Sequence, residues 1–295
     1  MNAREQGFLL LTSHLGDPNR RVLTVAQLRN LFLRVQGEPA PSQDRELNED
    51  DVAALGYDRE TAQRILALLS GKEQLDWYLK QASKAGCVPI SRIGEQYPYI
   101  LRKKLGLDCP GCLWAKGNLD LLQKPAVSLV GSRVLREENA AFAREVGRQA
   151  ARQGYVLISG NARGADQTAQ NACLEAGGKV IAVVADALTD QPANDRILYI
   201  SEDGFDLPFS GLRALSRNRI IHTMGQITLV AQCSFEKGGT WDGTKTNLKK
   251  GYSPVFCFRD GSRGMQALLD RGAQPVSMAQ LTDFSSLQPE QIGFL

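Results

Sequence analysis

Two histidines in 295 residues leave little material for the commonest catalytic and metal-binding chemistries. His14 and His222 lie far apart, neither sits with a serine or cysteine in a triad-like arrangement, and both read as structural. Long apolar runs are missing as well. The most hydrophobic stretches are short and close on glycine or a polar residue, well below the roughly 18 residues that suggest a membrane span. A secretory segment is also lacking ahead of the six cysteines (Cys87, Cys109, Cys112, Cys173, Cys233, Cys257), which sit in or beside apolar runs, so the expected compartment is the cytoplasm. Cys109-Pro110-Gly111-Cys112 has metal or redox spacing but no second Cys/His pair near it, and no metal is expected there. Strong charge is absent too: 35 basic against 32 acidic residues give a net +3, which permits a nucleic-acid partner without establishing one.

What is present is ordinary globular material, 43% hydrophobic and 23% charged, in a length that suits a small domain joined to a larger one. Apolar residues at helical spacing predict helices over 8–14, 25–35, 50–55, 59–69 and 74–85. In the fourth, Ala62, Ile65, Leu66 and Leu69 share one face and Asp58 stands at the N-cap. The stretch from Gly37 to Asn48, rich in Pro, Gln and acids, reads as a surface loop. From residue 87 the pattern changes. A short strand begins at Val88, an extended link through Tyr97-Pro98 follows, and β-type runs at 126–130, 156–159, 180–184, 227–231 and 255–258 alternate with helical ones. That alternation predicts an α/β, Rossmann-like domain with a doubly wound, mostly parallel sheet over 88–295, preceded by a small all-α domain over 1–87. A helix over 137–153 would lay Phe142, Val146 and Ala150 on the sheet.

Ligands of such sheets bind beyond the carboxyl ends of the strands, and four segments there carry anion-binding chemistry. Gly131-Ser132-Arg133 offers a close backbone approach, a hydroxyl and a guanidinium fork, although a tight strand-to-helix turn has the same look. Ser159-Gly160-Asn161-Ala162-Arg163-Gly164 leads into a helix whose N-terminus favours an anion. Asp166 in its first turn reads as a structural residue holding a loop amide or Arg163. Arg213 and the string Ser216-Arg217-Asn218-Arg219 suit a phosphate-tracking groove; a solvated basic face is the plainer reading. Arginines at i and i+2 on a helix point apart. Lys237-Gly238-Gly239-Thr240-Trp241-Asp242-Gly243-Thr244-Lys245 is nearly a P-loop, but Thr244 separates the last glycine from Lys245, and no NTPase site is expected. Arg133 and Arg136 occupy the second and third glycine positions of a dinucleotide fingerprint, which argues against NAD or FAD. Trp241 either stacks on a base or fills the core.

Tyr97-Pro98, Leu101, Gly117-Asn118, Val130-Gly131-Ser132-Arg133, Ser159-Gly160, Ala162-Arg163-Gly164, Asp166 and Ser216-Arg217-Asn218-Arg219-Ile220-Ile221 together resemble the DprA/Smf family in order and spacing. The resemblance is close over 97–280 and looser before it. It implies a Rossmann-like body that binds single-stranded DNA and helps load a RecA-type recombinase, often as a homodimer, without catalytic residues or a cofactor. It also implies that Arg133, Arg163, Arg217 and Arg219 contact phosphates while Gly131, Ser132, Ser159, Gly160, Gly164 and Asn218 shape the pocket, with Lys179 and Lys245 as further contributors. The chain departs from the family at Gln170, where a histidine is usual, at Ala231-Gln232, at Ala187-Leu188-Thr189 and at 258–261. The sequence ends at Leu295, and the winged-helix tail of some members is not expected.

Two other classes compete. Nucleoside-monophosphate hydrolases of related folds carry Gly-Gly-x-Gly-Thr-x-x-Glu, but three positions after Thr244 stands Asn247 rather than a glutamate. A sensor binding a small nucleotide in the same pocket, in an antiviral pathway for instance, is distinguished by ligand size: a closed pocket for a nucleotide, a trough for a strand.

Overall fold

The computed structural model describes residues 1–36, 47–192 and 194–287. The expected loop over 37–48 lies almost wholly outside them. Five helices come first: α1 (Ala3–Thr12), α2 (Val25–Val35), α3 (Glu49–Ala54), α4 (Arg59–Leu69) and α5 (Lys72–Lys84). Asp58 caps α4 by accepting the Thr61 amide at 2.8 Å, as its position predicts. Leu11, Leu23, Leu28, Val52, Ala62, Ile65 and Leu68 form a small core among these helices.

The chain then enters a nine-stranded sheet. In chain order come β1 (Cys87–Ser91), α6 (Tyr99–Leu105), β2 (Cys112–Gly117), β3 (Ala126–Val130), α7 (Glu137–Arg152), β4 (Val156–Ser159), α8 (Ala165–Glu175), β5 (Lys179–Val183) and β6 (Ile197–Glu202). After them follow α9 (Gly211–Ser216), α10 (Asn218–Met224), β7 (Thr228–Val230), α11 (Gly238–Lys250), β8 (Val255–Phe258), α12 (Arg263–Leu269) and β9 (Gln274–Val276). The spatial order is β1-β2-β6-β5-β4-β3-β7-β8-β9. From β6 to β9 every pairing is parallel, whereas β2 runs antiparallel to both β1 and β6.

Every residue of β3 is buried, as a central parallel strand covered on both faces requires. One face carries α7 and α8 through Phe142, Val146, Ala150, Ala165, Ala169 and Cys173. The other carries α6, α10, α11 and α12 through Leu101, Ile220, Ile221, Trp241, Met265 and Leu268. The sheet is thus wound on both sides. Three strands were not legible in advance: β2, which lies between Pro110-Gly111 and Gly117 and reads as a connector; β6; and the three-residue β9.

The front helices pack against this body. Leu9, Leu10, Leu75, Tyr78 and Ala82 belong to the same hydrophobic cluster as Trp114, Leu129 and Phe142. The Tyr78 ring lies 5.1 Å from Trp114 and 4.6 Å from Phe205, and its hydroxyl donates to Asp206 Oδ1 at 2.5 Å. The tyrosine therefore joins α5 to the loop after β6.

Candidate phosphate-binding pocket at the switch point

From β3 the chain steps outward through β4, β5 and β6, then returns across the sheet to place β7 on the other side of β3. Loops leaving β3 and β7 diverge at that point, and a cleft opens beyond the strand ends. A pocket of about 650 Å3 occupies it, lined by Gly131, Ser132 and Arg133 after β3, by Ala162 and Asp166, by Arg217 and Asn218, and by the start of α11.

Arg217 is the central charge. It forms the junction of α9 and α10 with helical dihedrals and is only 8% exposed. Its guanidinium lies directly on Gly160, where any side chain would occupy the same space. Among the described residues it has neither a hydrogen-bonded side-chain partner nor a salt bridge, and its Nε is buried without an acceptor. Burial pushes its pKa down, against the attraction of Asp166 and Asp186. A buried cation without a hydrogen-bonded anion is costly, and a ligand oxyanion would relieve it.

Asp166 does not fill that role. Its Oδ2 accepts the amides of Gly160 at 3.1 Å and Ala162 at 3.2 Å, which fixes the loop on which Arg217 rests. Desolvation raises its pKa, opposed first by Arg217 and then by these two amides. The helix N-terminus at α8 is correspondingly occupied. The Ala165 amide donates to Ser132 O at 3.2 Å and that of Gln167 to Ala162 O at 3.1 Å. No anion is left a place there: backbone carbonyls take these helix amides, and the Asp166 carboxylate takes those of the preceding loop. Gly164, at φ +84°, brings its Cα against the Ser132 and Arg133 carbonyls, a close approach that no side chain would allow.

The free helix start is that of α11. The Gly238-Gly239 pair, read from sequence as part of a loop before a short helix, begins a 13-residue helix. No side chain caps it, and Gly238, Gly239 and Thr240 face the pocket with Lys237. Its first amides therefore present a partial positive charge to the cleft. Asn218 ties α10 to this turn by donating to Gly239 O at 3.1 Å.

Other candidate residues fall elsewhere. Arg219 turns away from the pocket. It pairs with the buried Glu202 at 2.6 Å, and Ser216 donates to the other Glu202 oxygen at 2.9 Å. The physical reason is the two-residue offset on a helical backbone, which sends Arg217 and Arg219 in opposite directions. Burial raises the Glu202 pKa and Arg219 pulls it back. Arg213 donates to the carbonyls of Ala185, Leu207 and Pro208 and to Ser201 Oγ, and it clamps the segment after β6. Ser159 is buried and accepts from Gln170 Nε2 at 2.6 Å. Lys179 opens β5, at the opposite end of the sheet. Lys245 lies exposed on α11, 3.8 Å from Asp242 and off the pocket lining. Arg163 is exposed beside the cleft and Arg133 at its mouth. Trp241 is buried against Phe235 with Arg271 over its ring, so it fills the core.

His222, structural by the sequence, also borders the pocket. His222 is buried, its Nδ1 lies 3.2 Å from Asn247 Nδ2, and Asn247 Oδ1 accepts the Ser253 amide. An amide nitrogen only donates, so Nδ1 accepts and the ring proton sits on Nε2. The ring lines the pocket, and burial lowers its pKa to about 3, which keeps it neutral. No metal-holding cluster of His, Cys, Asp or Glu exists among the described residues.

Comparison with known proteins agrees with this architecture. A family model described as DNA recombination-mediator protein A matches residues 90–286. The chain belongs to that family. Its DprA/Smf relatives include the DNA processing protein DprA of Streptococcus pneumoniae, 32% identical over 65% of this chain and 71% of the relative. Protein Smf of Escherichia coli is 29% identical over 56% of this chain and 48% of the relative. The X-ray structure of the S. pneumoniae DprA superposes with a TM-score of 0.69 at 25% identity, covering 95% of this chain and 96% of that one. A Helicobacter pylori DprA structure, described for its single-stranded-DNA binding mode, matches in fold with a TM-score of 0.56 at 21% identity, over 66% of this chain and 94% of that one.

Proposed function

We propose that this DprA/Smf-family chain binds single-stranded DNA through the switch-point pocket, seating backbone phosphate against Arg217, Arg133 and the first turn of α11. The observation that carries the reading is the buried Arg217 guanidinium, without a hydrogen-bonded acid among the described residues, in the same pocket as the uncapped start of α11, an arrangement that an oxyanion completes. A family neighbour, the H. pylori DprA, is described as binding single-stranded DNA, which supports the ligand class. The role is that of a mediator: protection of incoming single strands and loading of a RecA-type recombinase during transformation or recombination, in the cytoplasm and as a homodimer. Catalysis is not part of the proposal. Asp166 is the only acid among the lining residues, and its Oδ2 is spent on two loop amides. No helix among the described residues is long and apolar enough to cross a membrane.

The pocket volume also suits a small nucleotide, within the range of about 300–1,000 Å3 typical of ligand sites. This favours the sensor as the second reading. Fluorescence anisotropy of labelled single-stranded and duplex DNA across a salt series, with mononucleotides as competitors, separates the two. Preferential, salt-sensitive binding of single strands that collapses in Arg217→Ala supports the DNA reading. Tight mononucleotide binding with no strand binding at low salt refutes it.

A further inference from the structure

A second cationic cleft lies on the front helices. A groove of about 500 Å3 runs between α2 and α4, lined by Arg29, Arg34 and Arg64 together with Asn30, Tyr57 and Thr61. Asp58 is the only acid of the lining among the described residues, and it is turned to its own helix. Its Oδ1 accepts the Thr61 amide at 2.8 Å and its Oδ2 the Thr61 hydroxyl at 3.1 Å.

The three arginines differ in what holds them. Arg34 donates from Nε to Asn30 Oδ1 and from a terminal nitrogen to Leu55 O, and its guanidinium lies 4.3 Å from the centre of the Tyr57 ring. Arg29 pairs with Asp108 at 2.7 Å. Arg64 has neither a hydrogen bond nor an ion pair among the described residues, and its Nε is buried without an acceptor. A guanidinium with an inner nitrogen unsatisfied is the feature that also marks Arg217, and a ligand oxyanion would satisfy it by a charge-assisted bond.

A chain of contacts joins this groove to the switch-point pocket. α2 packs on the turn Gly106–Asp108 that follows α6, and α6 packs on α10, whose first residue, Asn218, lines the pocket. The last turn of α6 carries Arg102, Lys103 and Lys104, with Lys103 exposed. We propose that Arg64 anchors a second phosphate site, between α2 and α4, which takes the backbone of a strand that has left the switch-point pocket over the basic end of α6. This rests on the single-strand reading above and gives the front helices a part in it: they lengthen the track along which one strand is held.

Two oligothymidylates test this, one of about 6 nucleotides, enough for a single binding region, and one several times longer. Each is bound to wild type, Arg64→Ala, Arg64→Lys and Arg217→Ala. Arg64→Ala should leave the short strand's Kd unchanged and weaken the long strand roughly tenfold, the value of one charge-assisted contact. The salt slope of the long strand should fall by about 0.7, the counterions of one phosphate on a single strand. Arg64→Lys keeps the charge without the planar fork and should recover part of the loss. Arg217→Ala should weaken both strands, and the thermal midpoint of Arg64→Ala should match wild type. An unchanged long-strand affinity in Arg64→Ala overturns the second site while the pocket stands. An equal loss on both strands also overturns it, since the substitution would then act through the fold. If wild type binds neither strand, the single-strand reading fails and this site with it.

Discussion

Removing Arg217 and removing Arg219 should have opposite consequences. Arg217→Ala takes away a buried cation that lacks a hydrogen-bonded acid among the described residues, so its denaturant midpoint should stay level or rise while strand affinity falls. Arg219→Ala leaves Glu202 buried with only Ser216 to satisfy it, and a loss of about 3 kcal/mol is expected at neutral pH. That loss should shrink as the pH falls, because protonation of Glu202 removes the orphaned charge. His222 supplies a second pH effect. Its pKa falls from an ordinary 6.5 to about 3 on folding, so the unfolded chain takes up the proton first. Its contribution is complete above pH 6.5 and is lost toward pH 3, at about 1.4 kcal/mol per pH unit. Urea unfolding of wild type and His222→Asn across that window should show the variant's pH dependence to be flatter by that slope.

Among the elements, the loop between β4 and α8 and the first turn of α11 divide the work of anion binding in a way the sequence pattern does not reveal. Both carry glycines before a helix. The first is closed by its own Asp166, and the second is left open. Asp166→Ala should therefore loosen the loop beneath Arg217, which amide hydrogen exchange would report as lost protection at Gly160 and Ala162. The site residues were legible as chemical types near strand ends, and Gly131, Ser132, Arg133, Arg217 and Asn218 do meet there. What the sequence left open was direction. Arg219 and Arg213 share the basic character of Arg217 but are consumed by Glu202 and by backbone carbonyls.

Across the whole molecule, α1 and α5 share one hydrophobic cluster with the sheet, through Leu9, Leu10, Leu75 and Tyr78 against Trp114. We propose that the division near residue 87 marks a change of secondary structure rather than two independent folding units. A chain beginning at residue 88 should then bind hydrophobic dye and lose its cooperative thermal transition, since Trp114 and Phe205 would be left exposed; a sharp transition in that fragment would refute this. Parallel strands, their order of alternation with helices and the glycine and arginine content of the loops were determined by the sequence itself, because periodicity and backbone sterics act over a few residues. The antiparallel β2, the short β9 and the partner of each arginine were decided only by tertiary structure, because β2 reads as a connector until β1 and β6 pair with both its edges, and the three residues of β9 are held as a strand by β8. A guanidinium, likewise, is paired or left free according to which acid the fold brings within reach.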